Sequence, residues 1–255
     1  MIQLTTACVS SVDESRGNSS NLLFSGQILP EHNAGLNGAP SLKLDPGAAC
    51  VAAVFDGVGE GACKAAYQAA GAFRAADVPQ TLEDLEVLYA HIHSALRSLS
   101  AERGGEPLTT SAASACVSGD QLALACLGGC RAYLMRERAL YLLSRPGADT
   151  APQTPPPAPD ATPRLGLEDS AETASRPFTL KGTLLPGDQL LLCTGWLPAA
   201  LDAREMLRTL AEAETPSDAL LQLARRAGSG RGDVAAVLLK AEAAEAPAAG
   251  DEASE

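Results

Sequence analysis

The stretch from Ala48 to Ala66, A-A-C-V-A-A-V-F-D-G-V-G-E-G-A-C-K-A-A, constrains the fold of this chain most. Residues 49–55 form a short apolar run with Val51, Val54 and Phe55, which suits a buried strand. The run stops at Asp56-Gly57-Val58-Gly59-Glu60 and passes into an alanine-rich segment of helical character. A carboxylate at the open end of a buried strand is costly unless something pairs with it. The glycines beside it permit a sharp turn and expose bare carbonyls. Aspartate with an exposed carbonyl is hard-cation chemistry, suited to magnesium, manganese or calcium. Asp56 as a plain helix N-cap fits the same residues, and this stretch alone leaves both readings open.

The remaining segments fall around that strand. Residues 2–9 and 22–29 read as strands, separated by a polar loop at 10–21, and the Pro, Asn and Gly content of 30–47 reads as loop. Residues 60–76 and 82–99 read as a helix pair. In the second helix Leu82, Leu85, Tyr89, Ile92, Leu96 and Leu99 recur at spacings of three and four, and Thr81 with Asp84 resembles a capping box. Residues 109–144 change period and read as an antiparallel meander of short strands. Residues 145–176 are rich in proline, which cannot donate to a ladder, and read as a surface insertion. Residues 189–193 form an apolar strand after the Pro186-Gly187-Asp188 turn. A second helix pair starts at Asp202 and at Thr215-Pro216, and residues 234–239 form a last strand. Strands, helix pair, strands, helix pair, strand is the order of an α+β fold, a four-layer α-β-β-α sandwich of two antiparallel sheets flanked by helix pairs. Domain boundaries are expected at 1–242, with the 145–176 insertion inside, and a disordered acidic tail at 243–255.

Charge narrows the function classes. A net charge of −12 and a pI near 4.7 argue against nucleic acid and against anionic membrane surfaces. There is no apolar run of membrane-spanning length and no signal-type start, so a cytoplasmic monomer is expected. The seven cysteines sit mostly in apolar segments and read as small core residues of a reducing compartment, not as zinc ligands. His91 and His93 stand two apart on a helix, point to nearly opposite sides, and read as solvated.

Five stretches taken together resemble the PPM-type serine/threonine phosphatases (protein phosphatase type 2C), in particular the bacterial branch. Residues 54–60, V-F-D-G-V-G-E, resemble the family's F-D-G-x-G-G strand end, and 127–134, L-G-G-C-R-A-Y-L, its V-G-D-S-R-A-Y-L. Arg164-Leu165-Gly166 resembles R-x-L-G, and 185–197, L-P-G-D-Q-L-L-L-C-T-G-W-L, resembles L-x-P-G-D-x-L-L-L-C-S-D-G-L. Residues 232–237, G-D-V-A-A-V, stand where S-x-D-N-x-T-V belongs. The matches keep order and spacing over residues 1–240. The resemblance implies the α-β-β-α sandwich and a reaction in which two divalent cations activate a water against a phosphoserine or phosphothreonine. By position, Asp56 would bridge the metals, Gly57 would give a carbonyl and Asp233 would bind the first metal, with Glu60 as a further candidate ligand and Arg16 as a candidate phosphate contact.

The departures from the family pattern fall on its ligands. The N-E-D of the first loop is Asn18-Ser19-Ser20, and the arginine before it aligns with Ser15, one step from Arg16. The S-D-G aspartate is Gly195, followed by Trp196, and the V-G-D-S-R aspartate is Gly129. Two aspartates and a carbonyl set two negative charges against the four positive ones of a metal pair, which is too little. At most one weakly bound Mn2+ or Mg2+ is expected. The resemblance therefore implies a pseudophosphatase that binds a phosphoprotein or a serine/threonine kinase partner. An active phosphatase with a reduced metal site is the alternative.

Overall fold

The computed structural model describes residues 1–12, 17–104, 107–144, 163–167, 176–228 and 232–244. Two six-stranded antiparallel sheets lie face to face. The first contains β1 (Ile2–Ser11), β4 (Ser41–Lys43), β8 (Arg131–Arg136), β9 (Ala139–Leu142), β11 (Gln189–Cys193) and β12 (Val234–Ala243), in the order β4-β1-β12-β11-β8-β9. The second contains β2 (Ser20–Phe24), β3 (Gln27–Ile28), β5 (Cys50–Val58), β6 (Thr109–Ser118), β7 (Gln121–Leu127) and β10 (Phe178–Thr183), in the order β10-β7-β6-β5-β2-β3. Helices α1 (Ala62–Ala75) and α2 (Leu82–Arg103) cover the second sheet. Following the short α3 (Trp196–Ala200), α4 (Ala203–Glu212) and α5 (Pro216–Ala227) cover the first. The α-β-β-α sandwich is the observed architecture.

β11 is apolar from Leu190 to Cys193 because both of its faces are buried. Side chains alternate across a strand. Leu190 and Leu192 therefore enter the layer between the sheets with Leu4, Leu22, Val54, Leu124 and Val237. Leu191 and Cys193 face the α4–α5 layer with Met206, Leu220 and Leu223. On the other side Phe55 meets Phe73 edge-on at 5.9 Å, and Phe73 meets Tyr89 at 6.2 Å. The Tyr89 hydroxyl donates to the Ala125 carbonyl at 3.0 Å, which removes the cost of burying it.

The caps follow the sequence. Thr81 and Asp84 close a capping box on α2, Asp202 and Glu205 close another on α4, and Pro216 opens α5 behind the Thr215 cap. At the L-P-G-D turn, buried Asp188 accepts from Arg136 Nε and Nη2 at 2.9 and 2.6 Å and from the Leu185 N–H at 2.7 Å. Asp188→Ala would leave these donors without their acceptor. It is expected to cost about 2 kcal/mol in urea denaturation, the exposed side of Arg136 limiting the loss.

Several expectations change. The strand expected at 22–29 is a hairpin, because Ser25 and Gly26 take φ of 50° and 72° in a two-residue turn. β4 lies inside the stretch read as loop, and α3 was not expected. The last strand continues past 239 to Ala243, which pairs with Ile2, so the expected tail boundary at 243 falls inside β12. Within the stretch read as surface insertion, residues 163–167 are packed, with Arg164 and Leu165 buried. Residues 145–162, 168–175 and 245–255 lie outside the described residues. His93, read as solvated, is buried, and its Nδ1 accepts from the Gly166 N–H at 3.1 Å. Among the described residues no helix is long and apolar enough to cross a membrane.

Candidate functional site

One end of the sandwich gathers the residues singled out above. β5 delivers Asp56 and Gly57, whose cross-strand partners in β6 are Ser111 and Thr110, and Asp56 also faces Ser20 of β2. β12 begins immediately after Asp233. β11 ends at Cys193 and passes into Thr194-Gly195, and the Thr194 hydroxyl ties the two segments by donating to the Asp233 carbonyl and accepting from the Ala235 N–H, both at 3.1 Å. The structure thus brings Asp56, Asp233 and Gly195 to one place from three strands.

The partners of the two aspartates decide what the site can do. The Ser19 N–H and hydroxyl both donate to Asp233 Oδ2, at 2.7 and 2.6 Å. Ser19 also accepts from the Gly57 N–H at 3.0 Å through its carbonyl, so one residue links both sheets. The Gly195 N–H donates to the Asp56 carboxylate. Loss of water at the buried carboxyl pushes Asp56 up to about 6; the Gly195 N–H pulls it down, Asp233 pushes it up, and Arg164 pulls it down. Both carboxylates therefore already accept from internal donors, Asp56 from one and Asp233 from two. A divalent cation needs lone pairs, and each donor bond takes up one.

The positions where the resemblance expects further acids are built for other work. Asn18 is buried, donates to Ser10 Oγ and Asn33 Oδ1, and accepts from Ser20 at both its N–H and its hydroxyl. Asn18 thereby joins the start of β2 to the end of β1 and to the Asn33 turn. Gly129 donates its N–H to Ser111 Oγ at 2.9 Å, and Arg131 clamps the turn by donating to the Gly128 and Cys130 carbonyls. Gly195 is seated over Gly129, where an added Cβ would stand 3.0 Å from the Gly129 carbonyl oxygen. The Trp196 ring lies on Gly232, and an added Cβ there would come within 2.6 Å of it. Among the described residues, the buried Trp196 Nε1–H has no hydrogen-bond partner. Glu60 is exposed in the turn before α1. Arg16, the candidate phosphate contact, lies outside the described residues, as do Asp13 and Glu14.

Among the described residues no group of three or more His, Cys, Asp or Glu could hold a metal ion. A cation pair does not fit the described residues: two carboxylates are too few acids for two divalent ions, and Ser19 and Gly195 already take up part of their lone pairs. Sequence reasoning found Asp56 and Asp233 but missed Ser19 and Arg164 as their partners. The signal for Ser19 was available, since a hydroxyl in place of an acid exchanges an acceptor for a donor. Arg164 stood out in the sequence only as part of the Arg164-Leu165-Gly166 resemblance, with nothing local to connect it to Asp56.

No family model matches the sequence, and neither does any curated protein. Solved structures do match. PppA, a key regulatory component of T6SS in Pseudomonas aeruginosa, superposes with a TM-score of 0.72 at 18% identity over 93% of this chain and 97% of its own. The catalytic domain of the serine/threonine protein phosphatase PstP in complex with two manganese ions gives 0.71 at 21% identity, over 95% and 100%. The Mycobacterium tuberculosis serine/threonine phosphatase PstP/Ppp gives 0.69 at 20%, over 94% and 99%. The chain has the fold of the bacterial PPM-type phosphatases.

Proposed function

We propose that the chain is a PPM-type pseudophosphatase, a phosphatase-like domain with impaired metal binding that acts in serine/threonine phosphorylation signalling by engaging a phosphoprotein or kinase partner. The observation that carries this reading is the double donation from Ser19 to Asp233 Oδ2, at a position where the family resemblance expects an acid and a cation. Asp56 adds to it through its bond from Gly195. The regulatory role of PppA supports a regulatory role here. The manganese-bound PstP domain has the same fold, which keeps the alternative, an active phosphatase on a reduced metal site, worth a direct test.

Trp196 is the single tryptophan and rests on Gly232, next to Asp233, so its fluorescence reports on this end of the sandwich. Titration with manganese is expected to give at most one weak site by calorimetry and little quenching of Trp196. Turnover of p-nitrophenyl phosphate is expected to stay at background. A robust manganese-dependent rate that Asp56→Ala abolishes would replace this reading with the active enzyme.

A further inference from the structure

We propose that His93 is a pH-sensitive latch on residues 163–167, holding that segment against the site end while its ring is neutral and releasing it when the ring is protonated. The latch works the same whether or not the site takes a cation, so it can fail while the pseudophosphatase reading stands, and the reverse.

The direction of one hydrogen bond fixes the state of the ring. His93 is 9% exposed on the buried side of α2, and its Nδ1 lies 3.1 Å from the Gly166 nitrogen. A backbone N–H can only donate, so Nδ1 carries a lone pair and the ring is the neutral Nε2–H tautomer. A proton on Nδ1 would set two donors face to face and leave a buried N–H without its acceptor. Gly166 has little room to adjust. It takes φ of +82°, and an added Cβ there would overlap the Leu108 carbonyl oxygen and stand 2.9 Å from Leu96 Cβ. What the latch holds leads to the site. Leu165 bridges Thr110, with Leu165 N–H to the Thr110 carbonyl at 2.9 Å and Thr110 N–H to the Leu165 carbonyl at 3.1 Å. Thr110 is the cross-strand partner of Gly57, the residue after Asp56.

The other titratable groups around this layer keep their charge while the ring changes. On α2 they are Tyr89 one turn before His93, Arg97 one turn after it, and Glu86 two turns before, which accepts from Thr179 of β10 at 3.0 Å. Residues 163–167 contribute Arg164, two positions before Gly166, and β10 contributes Lys181, on the same face as Thr179. β6 and β7 bring Leu108, Ala112, Ala125 and Leu127 to the layer together with the Cys116 thiol. Burial pushes Cys116 up to about 12 and Tyr89 well above its ordinary value, so both stay neutral. Among the described residues of this layer, His93 is therefore the one whose charge changes between about pH 5 and pH 8. The segment is fully held above that range, and the hold is lost as the pH falls and the ring takes up its proton, which a histidine of the unfolded chain does near about pH 6.5.

The test is amide hydrogen exchange on the full chain at about pH 7.5 and about pH 5, corrected for intrinsic rates. Protection at Thr110, Leu165 and Gly166 is expected to fall roughly tenfold or more at the lower pH. The central amides of β5, a strand paired on both sides, are expected to keep theirs. His93→Asn retains an acceptor near the Nδ1 position and takes no proton in this range, so a change of less than about twofold is expected. His93→Leu has no acceptor and is expected to show the low protection at both pH values. No fall in the wild type, a fall that extends to β5, or an equal fall in His93→Asn, which would belong to another group such as Asp56, would each overturn the latch. Should the variants not fold, NMR of the wild type decides. The Gly166 amide is expected to shift with the His93 ring nitrogens at one common midpoint. A ring that stays neutral down to about pH 5, or a Gly166 amide unmoved while the ring titrates, would overturn the latch as well.

Discussion

Gly57→Ala is expected to destabilise the protein by about 3–5 kcal/mol in urea denaturation, one of the largest effects of any single methyl group in this chain. The reason is space and not backbone conformation. A Cβ at position 57 would stand 2.0 Å from the Ala62 carbonyl oxygen and 2.7 Å from the Ala62 Cα. Both are backbone atoms in the first turn of α1, so no side-chain rotation relieves the clash. Either α1 moves off the sheet, losing part of the Phe55–Phe73–Tyr89 packing, or β5 shifts against β6. Gly182→Ala is the control: nothing lies within 4 Å of the added methyl, and a change within about 0.5 kcal/mol is expected. A Gly57→Ala variant as stable as that control would mean that α1 does not start against the strand end.

That result would bear on function as well. The F-D-G element resembles a metal-binding motif, yet its glycine is required by the packing of α1 whether or not a cation is bound. Segments that build the sandwich can persist under structural constraint alone. Retention of the fold is therefore silent on catalysis, and the decision falls to the groups that face Asp56 and Asp233.

The sequence revealed the layers because the physics that sets them is local and periodic. The run Leu190-Leu191-Leu192-Cys193, short and set behind a Pro-Gly-Asp turn, suits a strand buried on both faces, and the 3- and 4-residue spacing from Leu85 to Leu96 suits a helix with one side buried. Caps at Thr81, Asp202 and Thr215 are equally local. What was hidden is non-local. Ser25-Gly26 is a turn signal too short to outweigh the apolar residues on both sides of it. His93 looked exposed because its acceptor role depends on Gly166, 73 residues away. Leu165 looked like part of a proline-rich excursion because its bridge to Thr110 crosses 55 residues of chain that no spacing rule connects. The candidate site was legible as a list of acids present and missing. Which donors take the place of the missing acids was not, since Ser19 meets Asp233 only after both sheets close.

Asp56→Asn is expected to stabilise the protein by about 3 kcal/mol at pH 8 and to have almost no effect at pH 3. Burial raises the Asp56 carboxyl from its ordinary 3.8 to about 6. Below about pH 3 the group is protonated in both the folded and the unfolded chain and contributes almost nothing. Between about pH 4 and pH 6 the folded state holds a proton that the unfolded state has released, so stability falls as the pH rises. Above pH 6 the folded protein carries a charge that its surroundings disfavour, and the penalty is constant. An asparagine has no charge to desolvate, and its side-chain oxygen can still accept from the Gly195 N–H. For a chain of 255 residues the gain corresponds to a Tm increase of roughly 6–10 °C at pH 8, shrinking to zero across the acid range. Thermal scans of both proteins from pH 3 to pH 8, in chelator, measure this directly. In a site filled by cations the sign reverses, because the carboxylate would then be held ionised by the metal and asparagine would forfeit that binding. Stabilisation by Asp56→Asn thus marks a carboxylate that no metal ion compensates, whereas destabilisation in manganese would mark a working metal ligand.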